Sequence, residues 1–453
     1  MAAGLVAWAY AGGASAQVAA PAPETLAVGD WKLEPVVEAR VRGEYRHDLD
    51  GEDKGVLIER ARLGVDVTRG SLEGRVVLQD ARVWDLGVSN DVLTGPAPLA
   101  ATGVYEAWGE AHTAGAHPSF LRIGRQEVSW GEGRLLGVSD WSPAGRSLDA
   151  ARGRTTRGNW AFEVLAAVLE DPAMPLTTPS GTVVSAVAPA YGELFGARVE
   201  WAVDPLFAVD GYALARIAQT NPQASLDASV RGQTYTPSLR LHGDGDGWTW
   251  GAEGAIQFGH ADGVTAIAQP LGVLTYGAAR SAWATAGHLD YAFDHVLLAP
   301  TIRLGGSYAS GDHGGTTFRG FDPLLPDAHT WYGAMDLLTW SNELEANARI
   351  AVVPWTDAAA ALEYRYARLA QPGGAWTTGY LDQLIAVPGN TRTDLGHEID
   401  ARLAWSPLVP VELGAGYSVL VLGDGAKAVL AGSSLSAPSL SHYAYLQATL
   451  RVP

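Results

Sequence analysis

The chain has 453 residues, 49 Asp and Glu against 31 Lys and Arg, a formal net charge of -18 and no cysteine. The missing cysteines exclude a disulfide scaffold, a thiolate-held metal or iron-sulfur site and a thiol nucleophile, and an acidic chain without a basic stripe does not suit nucleic acid. Hydrophobic residues make up 47% of the chain, yet no apolar run reaches the roughly 18 residues that a membrane-crossing helix needs. The aromatic set favours rings with a polar handle, 16 Trp and 16 Tyr against 8 Phe, which suits a membrane interface.

Leu5 to Tyr10 form a short apolar stretch, and Ala14-Ser15-Ala16 before Gln17 has the small residues of a secretory cleavage site. Residues 1–16 are therefore expected to be an export signal. Its basic n-region is missing, so either the true start codon lies upstream, the preferred reading, or the segment is an unusually bare signal. Residues 17–30, rich in Ala, Pro and Val, are expected to be a flexible mature N-terminus ahead of one folded unit, 31–453. An exported chain without cysteine points to the periplasm or outer membrane of a Gram-negative bacterium.

From Val37 to Tyr45 apolar or small residues alternate with Glu38, Arg40, Arg42 and Glu44, and from Arg60 to Thr68 the pattern repeats, with Ala61, Leu63, Val65 and Val67 on one side. A period of two over this length is a strand with one oily and one wet face. The same alternation returns around Arg198, Glu253, Arg303, Glu363 and Glu398, and from Ala444 to Val452.

Short turns are expected at Arg69 to Ser71, Ala114 to Pro118, Thr155 to Gly158, Val203 to Leu206, Gly243 to Gly247, Asp294 to His295, Pro354 to Asp357 and Ser406 to Val409. Long connections are expected at 47–55, 83–103, 127–145, 170–193, 218–234, 260–280, 310–343, 369–396 and 422–440. Nine long and eight short connections alternate, which makes eighteen strands. This layout predicts an all-β fold, a transmembrane antiparallel β-barrel with short periplasmic turns and long extracellular loops.

In lipid the outer face of such a barrel must be apolar, so the charged phase points into the lumen. Arginine dominates the cations, since only Lys32, Lys54 and Lys427 are lysines. Its planar fork binds carboxylates through two parallel hydrogen bonds. The phase nominates Arg40, Arg42, Arg60, Arg62, Arg75, Arg122, Arg146, Arg152, Arg198, Arg240, Arg303, Arg365 and Arg402 as lumen residues. Such charges can simply pair with lumen acids, or an arginine surplus can polarise a channel for anions.

Phe120 to Arg154 reads FLRIGRQEVSWGEGRLLGVSDWSPAGRSLDAARGR. Its Gly124-Arg125-Gln126, Gly133-Arg134-Leu135-Leu136-Gly137, Trp141 and Gly145-Arg146-Ser147-Leu148-Asp149 resemble the signature block of the alginate export family of outer-membrane porins. Arg60 to Gly64 and Tyr105 to Trp108 fit as well, and the layout is similar from Trp31 onward. The resemblance implies a monomeric eighteen-stranded barrel whose arginine-lined pore passes anionic polysaccharide. It also implies pore or constriction roles for Arg60, Arg62, Arg122, Arg125, Arg134, Arg146 and Arg152, with Asp149 as a pairing partner. Arg125 and Arg122 lie three positions apart, so a regular strand cannot aim both at the lumen.

The expected function is passive diffusion of an alginate-like polysaccharide or small organic anions through an arginine-lined outer-membrane channel. The expected partners are outer-membrane lipid, the solute and periplasmic export proteins. No cofactor or metal motif is recognisable, and Gly243 to Gly247 reads as a solvated hairpin turn rather than a calcium loop. A barrel-type lipase or esterase is the rival class, although no Gly-x-Ser-x-Gly elbow occurs. A third reading is a glycan-binding barrel whose loop rings Trp130, Trp141, Trp331 and Trp340 stack on sugars or anchor at the interface.

Overall fold

The computed structural model describes residues 25–86, 99–170, 176–177, 183–184, 191–204, 206–219, 232–268, 272–380, 383–384, 387, 389–432 and 437–452. The proposed export signal, residues 1–16, lies outside them. Eighteen strands form the wall: β1 (Trp31–His47), β2 (Asp53–Arg69), β3 (Leu72–Asp85), β4 (Leu99–Thr113), β5 (Ser119–Gln126), β6 (Leu148–Arg157), β7 (Trp160–Glu170), β8 (Tyr191–Asp204), β9 (Phe207–Gln219), β10 (Gly232–Gly245), β11 (Trp248–Ala268), β12 (Gly272–Ala292), β13 (Thr301–Ala309), β14 (Glu343–Val352), β15 (Ala358–Leu369), β16 (Asp394–Leu408), β17 (Val411–Leu422) and β18 (Leu440–Val452). Each pairs antiparallel with its chain neighbour, and β18 returns to β1 from Val37↔Val452 to His47↔His442. The sheet closes, which leaves no unpaired edge and satisfies the backbone in a medium without water.

Alternation decides which way each side chain points. On β1, Glu38, Arg40, Arg42, Glu44 and Arg46 are buried towards the lumen, while Val41 and Tyr45 are exposed on the outside. Leu63, Ile123, Val164, Leu239, Ile256, Leu304, Leu362 and Leu446 continue that outer apolar band around the wall. A surface so oily is intelligible only against lipid.

Most connections fall where the pattern places them. The β10–β11 hairpin turns on Asp246 and Gly247, with φ of 54° and 81°, the left-handed pair that a two-residue turn of this hand requires. Two connections differ from expectation. The stretch 260–280 is mostly ladder rather than loop, because β11 and β12 stay paired as far as Ala268↔Gly272, with one register shift between Ala261 and Val264. The turn expected at Asp294 to His295 is longer, spanning 293–300 between β12 and β13 and held by Phe293 N–H donating to the Pro300 carbonyl at 2.8 Å. At the other end of the sequence, Leu26–Val28 pairs with Trp31 to Leu33, so the last part of the expected flexible terminus is a small hairpin.

Two of the long loops turn into the lumen. Those joining β5 to β6 (residues 127–147) and β13 to β14 (residues 310–342) fold back into the barrel. Trp130, Leu135, Leu136, Tyr332 and Trp340 are fully buried there. Trp130 and Trp340 are thus core residues, neither sugar platforms nor interface anchors, and Trp331 and Trp141 pack against the same cluster. Trp130 Nε1 donates to Glu163 on β7 at 2.9 Å, and Trp340 Nε1 to the Tyr308 carbonyl on β13 at 3.2 Å. A nine-residue helix, Asp424–Gly432, follows β17 and seats Ala426, Val429 and Leu430 in the same cluster.

The two inward loops are one body. Leu136 and Leu325 form a parallel bridge, the Gly137 N–H donates to the Leu325 carbonyl at 2.9 Å, and the Asp327 N–H to the Gly133 carbonyl at 2.8 Å. Gly137 permits this approach, since a Cβ there would stand 2.8 Å from the Cβ of Asp327.

Candidate functional site

The inward loops narrow the lumen, and arginines fix them in place. Asp140, on the 127–147 loop, faces β1 and β2. Its Oδ1 accepts from Arg60 Nη2 at 2.8 Å and Arg62 Nη1 at 3.4 Å, while its backbone carbonyl accepts from Arg40 Nη1 at 2.8 Å and Arg60 Nη1 at 3.0 Å. Burial alone would raise the Asp140 carboxyl, but Arg60, Arg40 and Arg62 outweigh it and hold it well below the ordinary carboxylate range. Arg42 adds a bond to the Trp141 carbonyl at 3.0 Å and lies over the Trp141 ring at 3.7 Å.

Glu132 anchors the opposite side of the loop. Its carboxylate meets Arg134 at 3.3 Å, Arg240 of β10 at 3.0 Å and His288 Nε2 of β12 at 2.9 Å. Burial opposes the charge here too, yet His288 and the two arginines keep the Glu132 carboxyl below its usual range. Arg146 clamps the two loops together, its Nη1 donating to the carbonyls of Gly137, Leu325 and Pro326 at 2.8, 2.7 and 3.0 Å.

The remaining nominated arginines divide by place. Arg75 pairs with Asp66 and Glu106, Arg122 with Glu110, Arg152 with Glu163, and Arg198 with Asp210 and Glu200, all on the inner wall. Arg303 pairs with Asp290, Arg365 with Glu345 and Glu363, and Arg402 with Asp400. The side chains of Arg75, Arg122, Arg152 and Arg198 keep 13–33% of their surface, whereas those of Arg42, Arg60 and Arg365 keep 0–3%. Solvent therefore reaches the lumen chiefly along β3 to β9. Arg42 on β1, Arg60 on β2 and Arg365 on β15 are covered beneath the loops.

Arg125 and Asp149 need correcting as channel residues. They are cross-strand neighbours on β5 and β6, paired at 3.0 Å, with side chains 41% and 56% exposed. They share the phase of Leu121, Ile123 and Ala151, which is the outward phase, so they do not line the channel. Arg122 takes the lumen position and stacks over Trp108 at 3.7 Å.

Arg349 lies outside the set of lumen arginines expected from the sequence, although the same alternation offers it. It shares the phase of Glu343 and Glu345 on β14 and faces inward, nine-tenths buried. Its cross-strand neighbours are Arg303 and Glu363. No hydrogen bond or ion pair joins its guanidinium to another described residue, and none of its nitrogens is sealed from the lumen. Glu132 and Asp140, the loop anchors, carried no such signal, because irregular chain has no phase.

No curated protein sequence matches this chain. Solved structures with the same fold include Acinetobacter baumannii OccAB1, at TM-score 0.58 and 10% identity, covering 96% of this chain and 100% of that one. Pseudomonas aeruginosa OccK2 (OpdF) gives TM-score 0.54 and 11% identity over 93% and 97%, and the outer membrane protein opdK from Pseudomonas aeruginosa 0.52 and 12% over 92% and 99%. The family model for alginate export matches residues 33–433. With its closed eighteen-stranded barrel, its lipid-facing outer band and its charged lumen, the chain belongs to the alginate export family and is an outer-membrane porin.

Proposed function

We propose that the channel passes carboxylate-bearing anions, either an alginate-like polysaccharide or small organic acids, by passive diffusion across the outer membrane of a Gram-negative bacterium. Arg349 carries this reading. An inward guanidinium beside a second arginine, with no carboxylate bonded to it, is a fork waiting for an anion. The partly exposed arginines along β3 to β8, each paired with a lumen acid, set further guanidinium groups along the open side of the lumen. One solved structure of the same fold, OccK2 (OpdF), is in complex with glucuronate, a uronate of the kind this reading requires. In the same reading the protein works as a monomer, without catalysis, after an export signal at residues 1–16, and receives solute from periplasmic partners. The test is the reversal potential in a salt gradient for the wild type and Arg349→Ala. Anion preference that falls in the variant supports the proposal, and unchanged selectivity refutes the role of Arg349.

A further inference from the structure

The two anchors of the 127–147 loop differ in one respect. Asp140 is held by arginines, whose charge is permanent. Glu132 is held by Arg134, Arg240 and one group that can lose its charge near neutrality, His288.

The geometry at His288 is specific. Nε2 lies 2.9 Å from Glu132 on the loop and Nδ1 lies 2.6 Å from Asp290 on its own strand, with the side chain 6% exposed. A neutral imidazole has one donor and one lone pair, so between two carboxylates it would set a lone pair against an oxygen anion. Only the imidazolium donates to both. The charged groups around it are Glu132 and Arg134 from the loop, Arg240 from β10, Asp290 from β12 and Arg303 from β13, whose Nε donates to Asp290 at 2.6 Å; Arg349 of β14 lies next to Arg303. The second inward loop brings the neutral Trp331 ring to 5.4 Å. On β11, Gly251 stands directly opposite His288, and the buried Glu253 next to it on the same face interacts with Glu132 and Arg134. A Cβ at Gly251 would stand 2.5 Å from Glu132 Oε1 and 2.8 Å from His288 Nε2, so the contact has been given room by a glycine.

We infer that His288 is the positioning residue that pins the constriction loop to the wall through Glu132, and that loss of its proton releases this side of the loop while Asp140 holds the other. The constriction is therefore tight at mildly acidic pH and looser under alkaline conditions. The inference concerns loop order and stands whether or not the solute is an anion.

The test is amide hydrogen exchange of residues 127–147 in the detergent-solubilised full chain, from about pH 6 to about pH 9, corrected for the intrinsic pH dependence of exchange. In the wild type the loop is expected to open about tenfold more at the alkaline end, the worth of one charge-assisted hydrogen bond. His288→Gln should show that opening already at pH 6 with no further rise, and His288→Lys should restore protection at both ends. Gly251→Ala should open the loop at pH 6 without altering any charge. Unchanged exchange in β1 and β18 shows that each barrel is folded. A flat wild-type profile overturns the inference. So does a pH dependence that survives in His288→Gln, which would assign the effect to Asp327 on the neighbouring loop.

Discussion

Asp140→Asn tests whether arginine clamps, rather than the barrel wall itself, set the width of the lumen. The substitution keeps the shape of the side chain but removes the charge that Arg60 and Arg62 face at 2.8 and 3.4 Å. A hydrogen bond to a charged group contributes about 1.5–3 kcal/mol, and stripping one partner from a buried pair costs about 3–5 kcal/mol. Here Arg60 retains Glu38, Asp140 keeps 27% of its side-chain surface, and the backbone carbonyl of residue 140 still accepts from Arg40. The loss therefore sits near about 2 kcal/mol, or roughly thirtyfold in the equilibrium between docked and undocked loop. The closed ladder of eighteen strands does not depend on this contact, so the folded barrel should survive. Single-channel recording should show higher mean conductance and more frequent substates, with exchange of residues 127–147 accelerated by the same factor. Unaltered conductance together with unaltered exchange would refute the idea that Asp140 holds the constriction.

Trp130→Ala removes a fully buried ring and its bond to Glu163, and should destabilise the docked loops by about 3–5 kcal/mol, seen as loss of near-ultraviolet circular dichroism with the far-ultraviolet β signal intact. Arg146→Ala deletes three bonds to carbonyls of both loops, so the 127–147 and 310–342 segments should exchange independently where the wild type shows matched protection. The pH response below neutrality has a definite sign. Burial pushes the Asp327 carboxyl up to about 6, above the unfolded value near 3.9; its contribution to stability is greatest below that lower value and declines as pH rises towards 6. The 310–342 loop should therefore be better protected at pH 4.5 than at pH 7, and Asp327→Asn should abolish the difference. The Asp140 anchor behaves oppositely. Its stabilisation is present above the unfolded value and is lost as pH falls through its depressed one, so exchange of 127–147 should rise below about pH 4, and Asp140→Asn should abolish that rise.

The barrel was legible because lipid enforces a rule on every second residue. Glu38, Arg40, Arg42, Glu44 and Arg46 occupy one phase of β1, and no other arrangement hides them from hydrocarbon while exposing Val41 and Tyr45. The same rule separates Arg122 from Arg125 and includes Arg349 with Glu345, a position that the pattern offered on β14. Loop destinations follow no such rule. Nothing local distinguishes Trp130, which seals the interior, from a ring in an exposed loop. Asp140 and Glu132 look like ordinary solvated acids until the loop is seen folded against Arg60 and His288. Phase could not tell an arginine spent on holding a loop, such as Arg40, from one left open to solvent, such as Arg122.

The most direct test of the transport proposal is single-channel recording of the full chain in a planar bilayer under a salt gradient, with uronate oligomers added to one side. The proposal requires an open channel with a reversal potential of the sign for anions, blocked by the oligomers, and with both properties weakened in Arg349→Ala. A channel that prefers cations, or one that passes anions identically with and without Arg349, would contradict it.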